Sequence, residues 1–400
     1  MLSFDEALAR LLDAALPVAE IRSVPLAAAC GRVLAQSQFS SQDVPPLDNA
    51  AMDGYALRCA DVPVAGTALP ISQRIPAGSV GAPLMPGTAA RIFTGAPVPP
   101  GADAVVMQEL AEPAAEGRVL IQEVPKPGQH IRRAGEDIAA GAEILPAGIR
   151  LGPAHLGLAA SVGLAALPVY RRLRVALLST GNELAEPGEP LAPGQIYNAN
   201  RHFLRPLLEG FGCEVRDLGR VPDDLAALRQ ALRQAAAEND LIVSTGGVSV
   251  GEADHVKAAV EAEGELELWK IAIKPGKPLA FGKVGAGGTA FIGLPGNPVA
   301  SFVTCLLLVR PFVLKRMGMT QWRPRRRRVL AASSWPKADK RREFLRARLD
   351  GEGRAELFPN QGSGVLSSCV WAEGLIDNPP GRAFAAGDEV EFIALADLMG

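Results

Sequence analysis

Segments typical of β-strands alternate regularly with segments typical of α-helices between Leu173 and Leu314. The strand-like segments are short and apolar, and they cover 174–179, 213–216, 240–244 and 289–293. The helix-like segments cover 201–211, where Asn200 is the expected cap, and 224–237, 254–262 and 298–314. Because this alternation needs crossover connections, it predicts a doubly wound, mostly parallel sheet with helices on its faces.

The regions before and after this one follow other patterns. Ser3 and Glu6 have the spacing of a capping box, and the apolar residues after them recur with a helical period. Short apolar runs broken by proline and glycine fill 23–148 and predict a mostly β unit. Residues 153–167 have helical character and are expected to pack on the first helix, and the chain after Gly318 is strand-like again.

We therefore predict a multidomain protein of the α/β plus β class, because 400 residues exceed what one hydrophobic core usually serves. A central α/β domain is preceded by N-terminal helical and β domains and followed by a C-terminal β domain. The predicted boundaries are 1–22 with 137–168 for a discontinuous helical domain, 23–136 for the β domain, 169–318 for the α/β domain and 319–400 for the C-terminal β domain.

Composition argues against several classes of protein. A formal net charge of −2 lacks the basic field that general binding to nucleic acid or to a membrane surface needs. The arginine run at 323–328 is interpreted as a solvated interdomain strand, because no aromatic residues interleave with it. The five cysteines form no CxxC pair, which disfavours structural zinc and a disulfide framework. The first residues lack a signal-peptide pattern, so the cytoplasm is the expected location.

A lysine-rich turn predicts an anion site in the second half of the chain. Residues 270–278 read Lys-Ile-Ala-Ile-Lys-Pro-Gly-Lys-Pro, and lysine ammonium groups suit phosphate and other oxyanions. Turns rich in small residues end predicted strands at 179–183, 244–249 and 293–298. Because the carboxyl ends of parallel strands meet at one edge of a sheet, we expect these turns and the lysines to surround one phosphate-bearing ligand.

Carboxylates occur in or after the same turns, at Glu183, Asp223, Asp224 and Asp254. Each of them could simply cap or begin a helix. Together they could instead supply oxygen ligands to Mg²⁺ and leave coordination positions for water and a substrate phosphate. The residue pattern leaves both interpretations open.

Two other enzyme classes fit this region less well. Residues 247–251 match the G-x-S-x-G motif of α/β-hydrolases, but Ser249 lies beyond the strand and no histidine follows His255. A dinucleotide-binding Rossmann enzyme is disfavoured because the turn Thr180-Gly-Asn-Glu183 departs from G-x-G-x-x-G.

A series of segments along the chain resembles the MoeA family of molybdenum-insertion enzymes, to which the E domain of the animal protein gephyrin is related. The segments are 46–56, 92–96, 135–138, 179–184, 244–254, 274–278 and 294–298. The resemblance covers essentially the whole chain and implies that the α/β domain is similar to MoaB and MogA. Ala50 and Asn182 depart from the family pattern, where serine and, in many members, aspartate are expected.

The resemblance implies a reaction of molybdate with adenylylated molybdopterin, assisted by Mg²⁺, as the last step of molybdenum cofactor biosynthesis. AMP would be released, and molybdenum would end on the dithiolene sulfurs. The resemblance also implies a homodimer, in which the active cleft joins the α/β domain of one subunit to the β regions of its partner. The implied protein partners are the molybdopterin adenylyltransferase and the acceptor molybdoenzymes.

Motif matching also implies which residues act. The catalytic positions would be Asp53, Asp137, Glu183, Asp223 and Asp254, and the metal ligands would be Glu183, Asp223 and Asp254. The substrate-binding positions would be Thr94, Thr180, Gly181, Gly246, Gly247, Ser249, Lys270, Lys274, Lys277, Pro295, Pro298, Arg341 and Ser363. Whether Arg341 or Arg342 faces the ligand stays open at this stage. Two rival functions also remain, a protein that binds molybdopterin without turnover and a scaffold of the gephyrin kind.

Overall fold

A computed structural model describes residues 1–247 and 255–399 of the chain. Within these residues, three six-stranded sheets form the framework, one before the α/β region, one inside it and one after it. The predicted class, multidomain α/β plus β, is confirmed. The exact domain boundaries given above stay predictions.

The first helix, α1 (Phe4–Ala14), begins as the sequence predicts. The Ser3 side chain accepts a hydrogen bond from the Glu6 backbone N–H, and the Glu6 carboxylate accepts one from the Ser3 backbone N–H, which completes a capping box. The strand β1 (Ile21–Pro25) and the short helix α2 (Leu26–Ala29) follow.

The next part of the chain is mostly β, as predicted. Its strands are β2 (Gln38–Phe39), β3 (Asn49–Ala50), β4 (Gly54–Leu57), β5 (Thr67–Ile75), β6 (Ala89–Ile92), β7 (Ala104–Met107), β8 (Ala111–Ala114), β9 (Arg118–Ile121), β10 (Ile131–Arg132) and β11 (Glu143–Leu145). The sheet has the strand order β7-β4-β6-β5-β9-β8, in which β5 and β6 are parallel and the other neighbours antiparallel. Hairpins and short turns therefore replace helices in this region.

The helix α3 (Pro153–Ser161) and the strand β12 (Ala166–Tyr170) return the chain to its start, because β12 pairs with β1. Their apolar cluster includes Leu34, Leu145 and Leu167. The helix α1 contributes instead to the large cluster of the α/β region. The expectation that residues 153–167 pack on the first helix is therefore wrong: the β1–β12 pair directs this helix towards α2.

The α/β region contains the predicted alternation. Its elements are β13 (Arg174–Thr180), β14 (Leu184–Ala185), β15 (Ile196–Tyr197), α4 (Ala199–Gly210), β16 (Glu214–Val221), α5 (Leu225–Glu238), β17 (Leu241–Thr245), α6 (His255–Glu263), β18 (Gly264–Lys270), β19 (Ile273–Lys274), β20 (Pro278–Val284), β21 (Thr289–Leu294), α7 (Pro298–Thr304) and, after a π-helical turn (Cys305–Val309), α8 (Arg310–Arg316). The sheet order is β16-β13-β17-β21-β20-β18. The first four strands are parallel, and β20 and β18 run antiparallel at one edge.

The predicted cap of α4 is corrected by two residues. The helix begins at Ala199, and Asn198 is its N-cap, with a side-chain oxygen that accepts from the Arg201 backbone N–H at 3.5 Å. Asn200 lies inside the first turn and is buried. Its side chain is therefore available for the turns at the end of the sheet rather than for the helix.

The helix formed by α7, the π-helical turn and α8 is the core of the α/β region. Residues Pro298–Arg316 are long and apolar enough to cross a membrane by length and composition alone, but 83% of their most apolar window is buried inside the protein. Apolar residues occur on all sides of this helix because it is covered by the sheet, by α1 and by the C-terminal region.

The C-terminal region is a β-sheet with two short helices. Its elements are β22 (Arg327–Leu330), β23 (Arg342–Leu349), β24 (Ala355–Leu357), α9 (Ser367–Trp371), β25 (Gly374–Asn378), β26 (Glu389–Ala394) and α10 (Leu395–Met399). The order β19-β23-β25-β26-β22 shows that one strand, β19, comes from the α/β region. The lysine-rich turn is thus attached by backbone hydrogen bonds to the C-terminal sheet.

Candidate functional site

The carboxyl ends of β13, β17 and β21, three neighbouring strands, open into one cavity of about 740 Å³. The turns after these strands line it through Thr180 and Glu183, through Gly246 and Gly247, and through the segment 295–298. This edge of a doubly wound sheet is where helix N-termini and turn amides point at ligands. The three turns that the sequence singled out therefore meet at one site.

Glycine is required in the middle turn. Gly246 and Gly247 have φ values of 89° and 63°, in the region that side chains disfavour. A Cβ atom on Gly246 would lie 2.6 Å from the Thr180 carbonyl oxygen, and one on Gly247 would lie 2.3 Å from Val256 Cγ2. The absence of side chains lets the backbone of this turn approach β13 and brings its amides to the cavity wall.

The lysine-rich turn forms a second wall, with Lys274, Gly276 and Lys277 on the cavity. Gly276 packs against the core helix, because a Cβ atom there would lie 2.3 Å from Thr304 Cγ2. Lys270 is exposed at the end of β18 and does not line the cavity. Two of the three lysines of the motif therefore line the cavity.

The C-terminal region supplies a third wall, which contains Arg341, Gln361, Gly362 and Ser363. The Ser363 carbonyl oxygen accepts a hydrogen bond from the Val299 backbone N–H at 3.0 Å, which joins this wall to the start of the core helix. The cavity is thus shared between the α/β region and the C-terminal sheet of one chain.

Arg341, not Arg342, faces the cavity. The Arg341 guanidinium donates to both carboxylate oxygens of Asp339, at 3.0 and 2.8 Å. These hydrogen bonds from Arg341 are the main reason why the pKa of Asp339 is far below its ordinary value. The Arg342 side chain points the other way, donating to Asp377 at 2.6 and 2.8 Å and to Asp5 at 3.0 Å. Arg341 therefore lines the cavity and Arg342 does not, while contact of either one with a ligand stays a prediction.

The carboxylates around the cavity differ in their surroundings. Glu183 lines it, whereas Asp223 lies beside its wall with a carboxylate oxygen 3.4 Å from the Thr180 hydroxyl oxygen. Asp224 caps α5 by accepting from the Ala227 backbone N–H at 2.9 Å, which agrees with the structural interpretation of that residue. Among residues 1–247 and 255–399, no group of three or more His, Cys, Asp or Glu side chains could by itself hold a metal ion. The predicted residues Ser249 and Asp254 lie outside the described residues.

Some cavity residues were missed by the sequence analysis. They include Tyr197, Asn198, Asn200 and Gln361. The segment from Tyr197 to Asn200 did contain a usable signal. It has two asparagines before and in the first turn of α4, and since one of them is enough to cap the helix, the other is free for a different role. The Gln361 side-chain oxygen accepts from the Arg346 backbone N–H at 2.9 Å, and in this segment the sequence had singled out only Ser363.

The predicted residues of the N-terminal β region do not line this cavity. Asp53 accepts hydrogen bonds from the Thr94 backbone N–H at 2.8 Å and the Thr94 hydroxyl at 2.7 Å, and these contacts lower the pKa of Asp53. Asp137 is exposed on another loop of the same region. Gly181, although it follows β13 directly, is also absent from the cavity wall. Within one chain, the structure therefore brings the α/β and C-terminal candidates together and leaves Asp53, Thr94 and Asp137 apart.

The fold and the cavity define a multidomain protein with a cavity lined by Lys274, Lys277 and Arg341 at the carboxyl edge of a doubly wound sheet. Comparison with protein families assigns three matches: the MoeA N-terminal region (domain I and II) at residues 2–163, the probable molybdopterin binding domain at 176–315, and the MoeA C-terminal region (domain IV) at 328–395. The chain belongs to the MoeA family.

Relatives match over the full length of the chain. The molybdopterin molybdenumtransferase of Haemophilus influenzae is 40% identical over 407 residues and covers 100% of both chains. That of Synechococcus elongatus is 38% identical, covering 99% of this chain and 100% of its own. The solved structure of the molybdopterin biosynthesis MoeA protein of Pyrococcus horikoshii OT3 superposes with a TM-score of 0.86 at 29% identity, covering 98% of this chain and 100% of its own. Another solved structure, of a molybdopterin biosynthesis MoeA protein from Pyrococcus horikosii, gives a TM-score of 0.82 at 32% identity over 98% of this chain and 99% of its own.

Proposed function

We propose that this chain is a molybdopterin molybdenumtransferase, which inserts molybdenum from molybdate into adenylylated molybdopterin and releases AMP. Full-length relatives carry the name of this activity. The observation that carries the proposal is the cavity, which is lined both by Lys274, Lys277 and Arg341 and by glycine turns at the ends of parallel strands. Molybdate and a phosphoanhydride are both oxyanions, so the same set of cations and backbone amides suits both substrates.

The residues of the cavity divide into two groups by chemistry. The turns at Thr180, Gly246 and Gly247 offer backbone amides and a hydroxyl to the pyrophosphate, in the manner of helix N-termini. Lys274, Lys277 and Arg341 offer positive charge to molybdate and to the AMP phosphate as it leaves. Ser363, Pro295 and Pro298 shape the wall between these groups. Holding both reactants in one cavity would convert their encounter into a reaction of neighbouring groups.

The carboxylates fit Mg²⁺ as part of the site. Thr180 and Glu183 belong to the turn after β13, and the Asp223 carboxylate, from the turn after β16, lies beside the Thr180 hydroxyl, so two turns offer hard oxygen donors here. Mg²⁺ usually takes one or two carboxylates from the protein and completes its shell with waters and substrate phosphates, so a set smaller than three is suitable. When bound, the ion would offset the negative charge that develops as AMP leaves. Asp254 remains a proposed third ligand.

A homodimer is part of the proposal. Asp53, Thr94 and Asp137 lie outside the cavity of their own chain, so they can take part only if the β region of a second subunit faces it. The contacts from Thr94 favour the ionised form of Asp53, which suits contact with the metal. In this arrangement each active cleft combines the α/β and C-terminal regions of one subunit with the β region of its partner.

The proposed setting is the cytoplasm, where the product passes to other proteins. The molybdopterin adenylyltransferase would supply the adenylylated substrate, and acceptor molybdoenzymes would take the finished cofactor. This order follows from the chemistry, because an activated phosphoanhydride must be made before it can be consumed.

The test is a reaction with purified components. Adenylylated molybdopterin, molybdate and Mg²⁺ are incubated with the protein, and both AMP release and activation of an apo molybdoenzyme are measured. We expect both to depend on molybdate and on Mg²⁺, with chelator as the control. Tight binding of the substrate without AMP release would favour the rival function, a molybdopterin-binding protein without turnover. Release of neither product, with stable capture of unrelated proteins, would favour a scaffold.

A further inference from the structure

Lys274 is the cation of the cavity that the C-terminal sheet holds most directly. Its ammonium nitrogen lies 3.0 Å from Glu343 Oε1 and 3.6 Å from Asp339 Oδ2. The same nitrogen lies 5.7 Å from the centre of the Trp335 ring, over its face. A long, flexible side chain is thus fixed from three sides, all of them belonging to the region after the core helix.

Glu343 is a buried carboxylate with complete pairing. Its side chain is 1% exposed, whereas that of Lys274 is 37% exposed. The second carboxylate oxygen, Oε2, accepts from the Trp335 indole N–H at 2.7 Å and from the Asn378 side-chain amide at 3.3 Å. Burying a charge is unfavourable unless it is paired and hydrogen-bonded, so this arrangement requires the lysine as its counter-ion.

Backbone pairing places the two residues opposite each other. Lys274 in β19 is the register partner of Glu343 in β23, and the Arg342 backbone N–H donates to the Ala272 carbonyl oxygen at 2.9 Å. After Lys274 the chain turns through Lys277 and enters β20 of the α/β sheet. The lysine-rich turn is therefore a bridge, with one end in the C-terminal sheet and the other in the α/β sheet.

We propose that Glu343 is a positioning residue, which holds the Lys274 ammonium at the cavity wall before an oxyanion arrives. A free lysine side chain loses rotamer entropy when it is fixed on a ligand, and Glu343 removes most of that cost in advance. Because Glu343 belongs to the C-terminal sheet, that sheet then determines how well the α/β region binds anions. This inference rests on the proposed function, since it assigns Lys274 to an oxyanion substrate.

A double-mutant cycle tests the proposal, with calorimetric titration of molybdate and, separately, of AMP. The variants are Glu343→Gln, Lys274→Met and the double variant. We expect each single change to weaken molybdate binding on the order of tenfold, the size of one charge-assisted hydrogen bond. Since Glu343 acts through Lys274, the double variant should bind molybdate no more weakly than Lys274→Met. A merely structural role would instead give additive losses and would overturn the inference.

Asp377→Asn is the matched control. Asp377 is in the same sheet and its side chain is also 1% exposed, but it pairs with Arg326 and Arg342 instead of Lys274. It should lower the urea midpoint of unfolding and leave molybdate affinity unchanged. If Glu343→Gln does not fold, the Trp335→Phe variant tests the proposal instead. It keeps an aromatic ring under Lys274 and removes the indole N–H that donates a hydrogen bond to Glu343. We expect a smaller loss of affinity from it, and no loss would overturn the proposal.

The outcomes separate this inference from the function on which it rests. If the wild-type protein binds molybdate and Glu343→Gln binds it equally well, only the positioning role is wrong. If the wild-type protein binds neither molybdate nor AMP, the proposed function fails, and the inference fails with it.

Discussion

The side-chain amide of Asn200 donates a hydrogen bond to the Thr245 hydroxyl at 2.8 Å in the buried floor of the cavity. The same amide donates to the Gly296 carbonyl oxygen, also at 2.8 Å. Thr245 ends β17 and Gly296 follows β21, so one side chain from the start of α4 joins two of the turns that line the cavity. Asn200, a residue of α4, therefore sets the spacing between these two turns.

Replacing Asn200 with alanine should therefore affect both stability and binding. The buried Thr245 hydroxyl and the partly buried Gly296 carbonyl oxygen lose their donor, so we expect the free energy of unfolding to fall by about 1–3 kcal/mol. Molybdate affinity should fall as well, because the turns are no longer held together. Asn239→Ala is the control: its buried amide donates to the Ala235 carbonyl oxygen at the end of α5, away from the cavity. Equal molybdate affinity of the wild-type and Asn200→Ala proteins in calorimetry would contradict the linking role.

Asp53→Asn should fold normally and abolish molybdenum insertion. The amide keeps an oxygen for the Thr94 contacts, but it lacks the charge that proton or metal handling needs. The measurement is AMP release together with the thermal unfolding midpoint. Asp61→Asn removes another carboxylate of the same region, one paired with Arg58, and should leave turnover unchanged. Insertion at the wild-type rate by Asp53→Asn would reject the role.

A mixing experiment tests whether the cleft is shared between subunits. Asp53→Asn and Lys274→Met homodimers are unfolded together, refolded and assayed at a molybdate concentration so low that neither homodimer alone gives measurable turnover. If the cleft combines two subunits, each mixed dimer contains one cleft with both residues intact, and random assortment should restore roughly a quarter of the wild-type activity. If both residues serve the same chain, every cleft keeps one defect and the mixture stays inactive.

Replacing Arg341 and replacing Arg342, one at a time, should affect different properties of the protein. Arg341→Gln removes a cation from the cavity and should weaken molybdate binding on the order of tenfold with little loss of stability. Arg342→Gln leaves the buried Asp377 with fewer partners and should lower the free energy of unfolding, with affinity unchanged. The measurements are calorimetry and urea unfolding of both variants. The reverse pattern would mean that the two side chains exchange roles in solution.

The ion pair between Asp240 and Arg171 joins the α/β region to the chain before it, and we expect its contribution to stability to be lost in acid. Burial raises the pKa of Asp240, but hydrogen bonds from Arg171 and Arg174 more than offset this effect and lower it from 3.8 to about 2. A carboxyl whose pKa is depressed in the folded state stabilises the protein above its unfolded pKa, by about 2 kcal/mol here, and loses this contribution as the pH falls from near 4 to near 2. The difference in unfolding free energy between the wild-type and Asp240→Asn proteins should shrink over that range.

The control for this titration is an exposed ion pair. Glu209 pairs with Arg205 one helical turn away at 2.9 Å, and both side chains are about half exposed. Glu209→Gln should change the unfolding free energy by less than about 0.5 kcal/mol at any pH. An Asp240→Asn curve parallel to the wild-type curve from neutral pH to acid would contradict the assignment.

The sequence predicted the α/β region well because its signals are local. Residues 241–245 and 225–238 carry the apolar pattern of a strand and of a helix within their own length, and Asp224 caps α5, which is one of the two interpretations that the pattern left open. The convergence of the three glycine turns followed from the parallel order of the strands. These properties need no knowledge of distant contacts.

Long-range contacts explain what the sequence could not predict. The pairing of β1 with β12, about which no local pattern gives information, places α3 away from α1. Gln361 lines the cavity only because the C-terminal sheet folds against the core helix. Likewise, the choice between Arg341 and Arg342 depends on which one faces Asp339 and which faces Asp377, a property of strand register rather than of residue type.

The core helix Pro298–Arg316 depends on distant parts of the chain to cover its apolar surface. Its covers come from both ends of the chain, from α1 and from the helix α10, which packs on its π-helical turn. During translation the helix emerges before the C-terminal cover exists, so the nascent chain presents an apolar surface to chaperones. Because an excised α/β fragment would keep that surface exposed to water, we expect it to aggregate.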